Sequence, residues 1–135
     1  MKKILLLCFV MCSLLSCNIS DDNPNYIVEA LPIDSVDLPD TFVFGQTHEI
    51  TLTYTKPSGC YLFNNLLYEI DENQRDVAVI AAFFPDEVCD QTPIVEEFTF
   101  NFKVTSTESY TFRFWTGGDE NGVDTYLIVE VPVED

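Results

Sequence analysis

The chain has 135 residues, 23 of them acidic and six basic, for a formal charge of −17, with 47% hydrophobic and 13% aromatic residues. A surface this acidic excludes nucleic-acid binding, which needs a basic face, and it repels anionic lipid while favouring solubility and cationic partners. The length fits one domain with a modest core.

Lys2 and Lys3 give a positive n-region, and Ile4 to Leu15 is dominated by Leu, Ile, Val, Phe and Met, as in the apolar region of a signal peptide. It is shorter than the about 20 apolar residues of a membrane span. Leu14, Leu15, Ser16 and Cys17 then resemble a bacterial lipobox, where a small residue precedes a cysteine that takes diacylglycerol on sulfur and becomes the new N-terminus after cleavage. Cys8 and Cys12 do not fit, because Leu7 and Met11 precede them. The resemblance implies a signal peptide over residues 1–16, a lipidated N-terminus and polar acidic tether over 17–25, and a domain over 26–135. It also implies outer-membrane localisation, the membrane being held through the N-terminal lipid at about 0.8 kcal/mol per buried methylene. Asn18, Ile19, Ser20, Asp21 and Asp22 resemble the export signal of Bacteroidetes surface lipoproteins, which implies exposure at the cell surface; a solvated tether accounts equally well for these residues. Losing Lys2 and Lys3 leaves four basic residues against 23 acidic ones, a formal −19.

With Cys17 assigned to the lipid, Cys60 and Cys89 remain as a disulfide pair in an oxidising compartment. Closing a loop of about 30 residues stabilises by roughly 3 to 4 kcal/mol through the entropy of the unfolded chain. The alternative, two thiols serving a metal or catalysis, lacks any second-ligand pattern nearby.

Along the domain, apolar residues alternate with a period of two. Tyr26 to Pro32 and Thr41 to Phe44 are short runs broken by Pro32, Pro39 and Gly45, which suits a split edge strand. Thr47 to Thr55 places Ile50, Leu52 and Tyr54 on one face and Thr51, Thr53 and Thr55 on the other. After the turn Lys56 to Gly59, strands over Phe63 to Ile70 and Val77 to Phe84 flank the polar turn Asp71 to Gln74 as a hairpin. A symmetric register sets Ile70 opposite Val77, Tyr68 opposite Val79 and Leu66 opposite Ala81, with Leu67 opposite Ile80 on the other face. Pro85 to Pro93 is an acidic loop holding Cys89, which the disulfide would tie to the start of the hairpin.

Phe98, Phe100, Phe102 and Val104 form a core face, continued after the turn Thr105 to Ser109 by Tyr110, Phe112 and Phe114. Gly117 to Gly122 turns the chain into a last strand, Tyr126 to Val133. Symmetric pairing sets Phe114 opposite Leu127, Phe112 opposite Val129 and Tyr110 opposite Val131, with Trp115 opposite Tyr126 and Arg113 opposite Ile128 on the outer side.

The expectation is an all-β fold of seven or eight strands. Their order resembles an immunoglobulin-like antiparallel β-sandwich, and Tyr110, two residues before Phe112, resembles the tyrosine corner of that fold. The departures are a disulfide outside the two strands that the antibody-type bridge joins, and no Trp on the third strand. The layout places the hairpin of residues 63 to 84 in the sheet of the last two strands, so that Leu67 and Ile80 extend an outer patch of Trp115, Tyr126, Arg113 and Ile128. Trp, Tyr and Arg are enriched in binding hot spots, which makes this the candidate face for a protein or glycan partner; ordinary cross-strand pairing that covers the sheet is the alternative.

Asp119, Asn121 and Asp124 gather oxygen ligands as a calcium loop would, without the full loop and its terminal Glu; turns want the same residues, and no cofactor is expected. His48 is the only histidine, and no framed serine or metalloprotease motif occurs, so no enzyme is expected. The expected function is a lipid-anchored binding or adhesion module. The alternatives are an accessory subunit of an outer-membrane assembly and a cysteine-protease inhibitor, since Pro57, Gly59 and Tyr61 resemble the chagasin-type inhibitory loop, from which the inserted Cys60 departs.

Overall fold

The computed structural model describes residues 23–135, and the signal segment, Cys17 and the tether through residue 22 lie outside the described residues. Ten strands follow in order: β1 (Ile27–Leu31), β2 (Ile33–Asp37), β3 (Phe42–Val43), β4 (Thr47–Lys56), β5 (Tyr61–Asp71), β6 (Gln74–Phe83), β7 (Ile94–Lys103), β8 (Tyr110–Gly118), β9 (Asp124–Val131) and β10 (Val133–Glu134). The all-β expectation holds, with ten strands in place of seven or eight. Part of the difference is the split first strand, which is three pieces: β1 pairs with β6, β2 with β4, and β3 runs parallel to β10.

Pro32 lies between the first two pieces. Having no N–H, it costs no ladder bond where the chain passes from one sheet to the other. Leu31 and Ile33 on either side of it are both buried.

One sheet contains β5, β6, β8 and β9 with β1 beside the upper half of β6; the other is β2, β4 and β7. The inward alternation decides the core. Ile50, Leu52 and Tyr54 of β4 meet Val77, Val79 and Ala81 of β6 and Phe112 and Phe114 of β8 in one buried cluster. Aromatic pairs close the two sheets on each other: Phe63 stacks on Phe98 at 4.3 Å, and Tyr68 meets Phe100 edge-on at 6.0 Å. Fully buried Phe42 touches the rings of Phe102, Tyr110 and Phe112. Each such pair contributes about 0.5 to 1.5 kcal/mol beyond its buried area.

The tyrosine-corner resemblance has a structural counterpart: the Tyr110 hydroxyl oxygen accepts the Thr105 N–H at 3.1 Å and the Ser106 N–H at 2.9 Å. Burial raises the Tyr110 pKa, but these donors and the nearby Arg75 guanidinium outweigh it and hold the phenol below its usual value. The disulfide Cys60–Cys89 is present, with Cα atoms 5.4 Å apart, and joins the loop after β6 to the start of β5.

The last hairpin has the expected register throughout, from Tyr110 opposite Val131 to Trp115 opposite Tyr126. The hairpin of β5 and β6 does not. Asp71 pairs with Gln74, so only Glu72 and Asn73 form the loop, and Tyr68 meets Val77, Leu66 meets Val79 and Leu67 meets Ala78. Ile70, expected inside against Val77, pairs with Arg75 and is 65% exposed. Glu72 adopts a left-handed φ of 52°, and the Asn73 amide is held by Ser106 and by the carbonyls of Glu108 and Ser109. That long-range anchor fixes the tight turn. A shift of two residues keeps Leu66, Leu67 and Tyr68 on their expected faces, while the bulge between Phe63 and Asn65 turns Phe63 inward.

β6 and β8 run parallel, Gln74 opposite Thr111 through Val77 opposite Phe114. Tyr110→Phe removes the acceptor of two backbone donors and is expected to lower the unfolding free energy by about 1 to 3 kcal/mol in urea denaturation. Replacing Cys60 and Cys89 together by Ser is expected to cost about 3 to 4 kcal/mol by the same measurement.

Candidate functional site

The candidate face of the sequence becomes a groove on the outer side of the five-stranded sheet. Its floor is the outward row of β6, Asp76, Ala78 and Ile80; Leu67 and Glu69 of β5 make one wall, Trp115 and Tyr126 the other, with Asp124 beside them and Ala30 at the end. The cavity is about 290 Å³, at the lower end of small-molecule sites at roughly 300 to 1,000 Å³.

The concavity follows from strand pairing. β8 leaves β6 after Val77, and β1 takes the same edge from Val79 onward. A bulge between Trp115 and Gly117 turns β8 outward. Gly117 has φ +109°, a conformation that favours glycine, and a Cβ there would rest in ordinary contact with Pro32 Cγ at 3.4 Å, so the bend and not the space calls for glycine.

Both aromatic side chains are held in place. Trp115 Nε1 donates to Asp124 Oδ1 at 2.9 Å. The Arg113 guanidinium lies 4.2 Å from the Tyr126 ring centroid and is fixed from behind by Asp76 at 3.0 Å, whose other oxygen accepts from Gln74. A cation over an aromatic face contributes about 0.5 to 1 kcal/mol at a partly exposed site. Every charged residue lining the groove is a carboxylate: Glu69, Asp76 and Asp124.

Of the residues named from sequence, Trp115, Tyr126, Leu67 and Ile80 line the groove. Arg113 serves it from outside by positioning Tyr126, and Ile128 stands apart from it, 61% exposed. Leu67 does not oppose Ile80; Asn65 does, because of the two-residue register shift. The sequence reading missed Asp76, Ala78 and Glu69. The signal was present: Asp76 and Ala78 continue the alternation outward from Ile80 along the same strand.

The oxygen-rich turn is internally occupied. Asp119 Oδ1 accepts the N–H groups of Asn121 and Val123 at 2.8 and 2.9 Å, and Asp124 Oδ1 is taken by Trp115. Among the described residues no cluster of three or more His, Cys, Asp or Glu is placed to hold a metal ion. His48 Nε2 accepts the Val43 N–H at 3.0 Å, and its ring packs 5.1 Å from Phe42. The segment that resembles the inhibitory loop is a packed turn: Ser58 and Cys60 are buried, and the Gly59 N–H donates to Asp90 O at 2.8 Å.

Comparison with protein-family models, curated proteins and solved structures finds no match to this chain. Asp124→Ala frees the Trp115 indole and is expected to move its emission to the red and increase acrylamide quenching. Asp124→Asn keeps an acceptor oxygen and is expected to leave both near wild type.

Proposed function

We propose that the chain is a lipid-anchored, extracytoplasmic, non-catalytic binding module that takes its partner in the groove between Leu67 and Trp115. The observation that carries this reading is the aromatic wall of two rings, each preset by its own polar contact, Trp115 by Asp124 and Tyr126 by Arg113. Side chains fixed before binding lose little entropy on binding. Ala78 and Ile80 bordered by the carboxylates of Asp76, Glu69 and Asp124 fit a neutral or cationic partner that donates hydrogen bonds, such as a sugar face or a basic side chain, and the charge of −17 favours the same choice. The anchor rests on the lipobox-like residues ending at Cys17.

Trp115 is the only tryptophan, so its emission reports binding directly. Titration with neutral oligosaccharides and with Lys- and Arg-containing peptides is expected to give saturable emission changes with one of the two classes. Tyr126→Ala is expected to weaken that binding roughly 30-fold, the size of a hot-spot residue. Independently, Cys17→Ser is expected to move the protein from the membrane fraction to the soluble fraction and to abolish incorporation of labelled palmitate.

A further inference from the structure

We propose that the seam between the edges of β5 and β7 is a second binding site, for a small monocarboxylate with an apolar or aromatic body, held by Arg75. The seam is an open cleft of about 450 Å³ with Leu66, Ile70, Phe100 and Phe102 among its walls. It lies on the core side of β6, whereas the groove lies on the outer side, so it stands independently of the groove reading.

Arg75 is the unusual residue. The alternation of β6 places it in the inward row with Val77, Val79 and Ala81, and it is only 8% exposed. Its guanidinium carbon lies 5.1 Å from the Tyr110 ring centroid and 5.8 Å from that of Phe102. Nη1 donates to the carbonyls of Glu72 and Gln74 at 2.6 and 2.8 Å, and the enclosed Nε has no acceptor. In a chain with 23 acidic residues, neither ion pair among the described residues includes Arg75.

A buried charge without a counter-charge carries a large desolvation cost, which the two aromatic faces offset only in part. The remaining electrostatic demand is for an anion. The cleft contains a second cation with the same lack: Lys103 also lines it, and its ammonium donates to the Gly45 carbonyl. Residues 23–135 hold four basic side chains, of which Lys56 and Arg113 pair with carboxylates. The two that do not are both among the residues lining this cleft, Arg75 from the inward row of β6 and Lys103 from the open edge of β7.

The rest of the lining selects the ligand. Polyanions such as phosphates are disfavoured by the surrounding acidic field and would leave the aromatic walls unused. A single carboxylate satisfies Arg75, with Asn101 and Thr105 beside it, and an apolar body fills the space against Phe100 and Ile70.

The test is isothermal calorimetry on the full chain with acetate, octanoate and 3-phenylpropionate, with 3-phenylpropionamide as the uncharged control. The expected result is saturable one-to-one binding of octanoate or 3-phenylpropionate, absent for acetate, with 3-phenylpropionamide at least about tenfold weaker than its acid, as loss of a charge-assisted bond requires. Amide signals of Asn101 and Thr105 are expected to shift along the same isotherm. Arg75→Met is expected to abolish binding. The exposed Lys103→Gln, which does not test the core, is expected to weaken it severalfold, so the proposal stands or falls even if Arg75→Met fails to fold. No binding of any acid, equal binding of acid and amide, or full affinity in Lys103→Gln together with unmoved Asn101 and Thr105 signals would overturn it.

Discussion

One edge of β6 is shared by two strands, and the rest of the molecule is arranged around that constraint. β5 covers the other edge almost end to end, but on this side β8 pairs with Gln74 to Val77 and β1 with Val79 to Phe83. A residue offers its hydrogen bonds on one side to one neighbour only, so β8 has to leave where β1 arrives. Gly117 bends β8 away, Pro32 carries the first strand to the opposite sheet, and the two residues lie side by side at the junction. The groove is the space left above Ala78, whose own exposure falls to 7% under its walls.

The parallel pairing of β6 with β8 has a second consequence. Parallel neighbours need a crossover, and here it runs through β7 in the other sheet. The short loop after β7 must then set the height at which β8 begins. Two contacts do this: Tyr110 holds the amides of Thr105 and Ser106, while the Thr111 N–H donates to the Asn73 carbonyl at 3.0 Å. The Asn73 side chain grips the same loop. The turn of the β5–β6 hairpin thus fixes the start of β8, and through it the position of Trp115 further along the strand.

This dependence explains what could be read from the sequence. β7, β8 and β9 are regular alternations whose turns close locally, so periodicity and turn length gave both the core face and the pairing of Trp115 with Tyr126. β2 escaped notice because Ile33 to Asp37 alternates weakly and borrows its order from β4. The β5–β6 register depended on Glu72 taking a left-handed φ, which Asp71 to Gln74 does not announce and which Asn73 holds through a loop more than thirty residues away. The faces of Leu66, Leu67 and Tyr68 survived because the error was two residues, and only Phe63, beyond the bulge, changed sides. Arg75 was missed for the same reason: placed at the rim of a longer turn, it is a surface residue, and only the tighter turn draws it into the strand.

Arg75 and Asp76 show why one short segment matters twice. Neighbours on a strand point to opposite faces, so this pair sends a cation inward, over Tyr110 and Phe102, and a carboxylate outward, to Arg113 beneath the Tyr126 ring. Both lie within Gln74 to Val77, the only part of β6 that β8 pairs with. Moving that pairing by one residue would exchange the faces and leave a carboxylate against the aromatic core. Moving it by two would keep the faces but separate Asp76 from Arg113. The parallel register therefore carries a stringency that its length alone does not suggest: four residues of pairing decide the charge in the seam and the aim of the aromatic wall together.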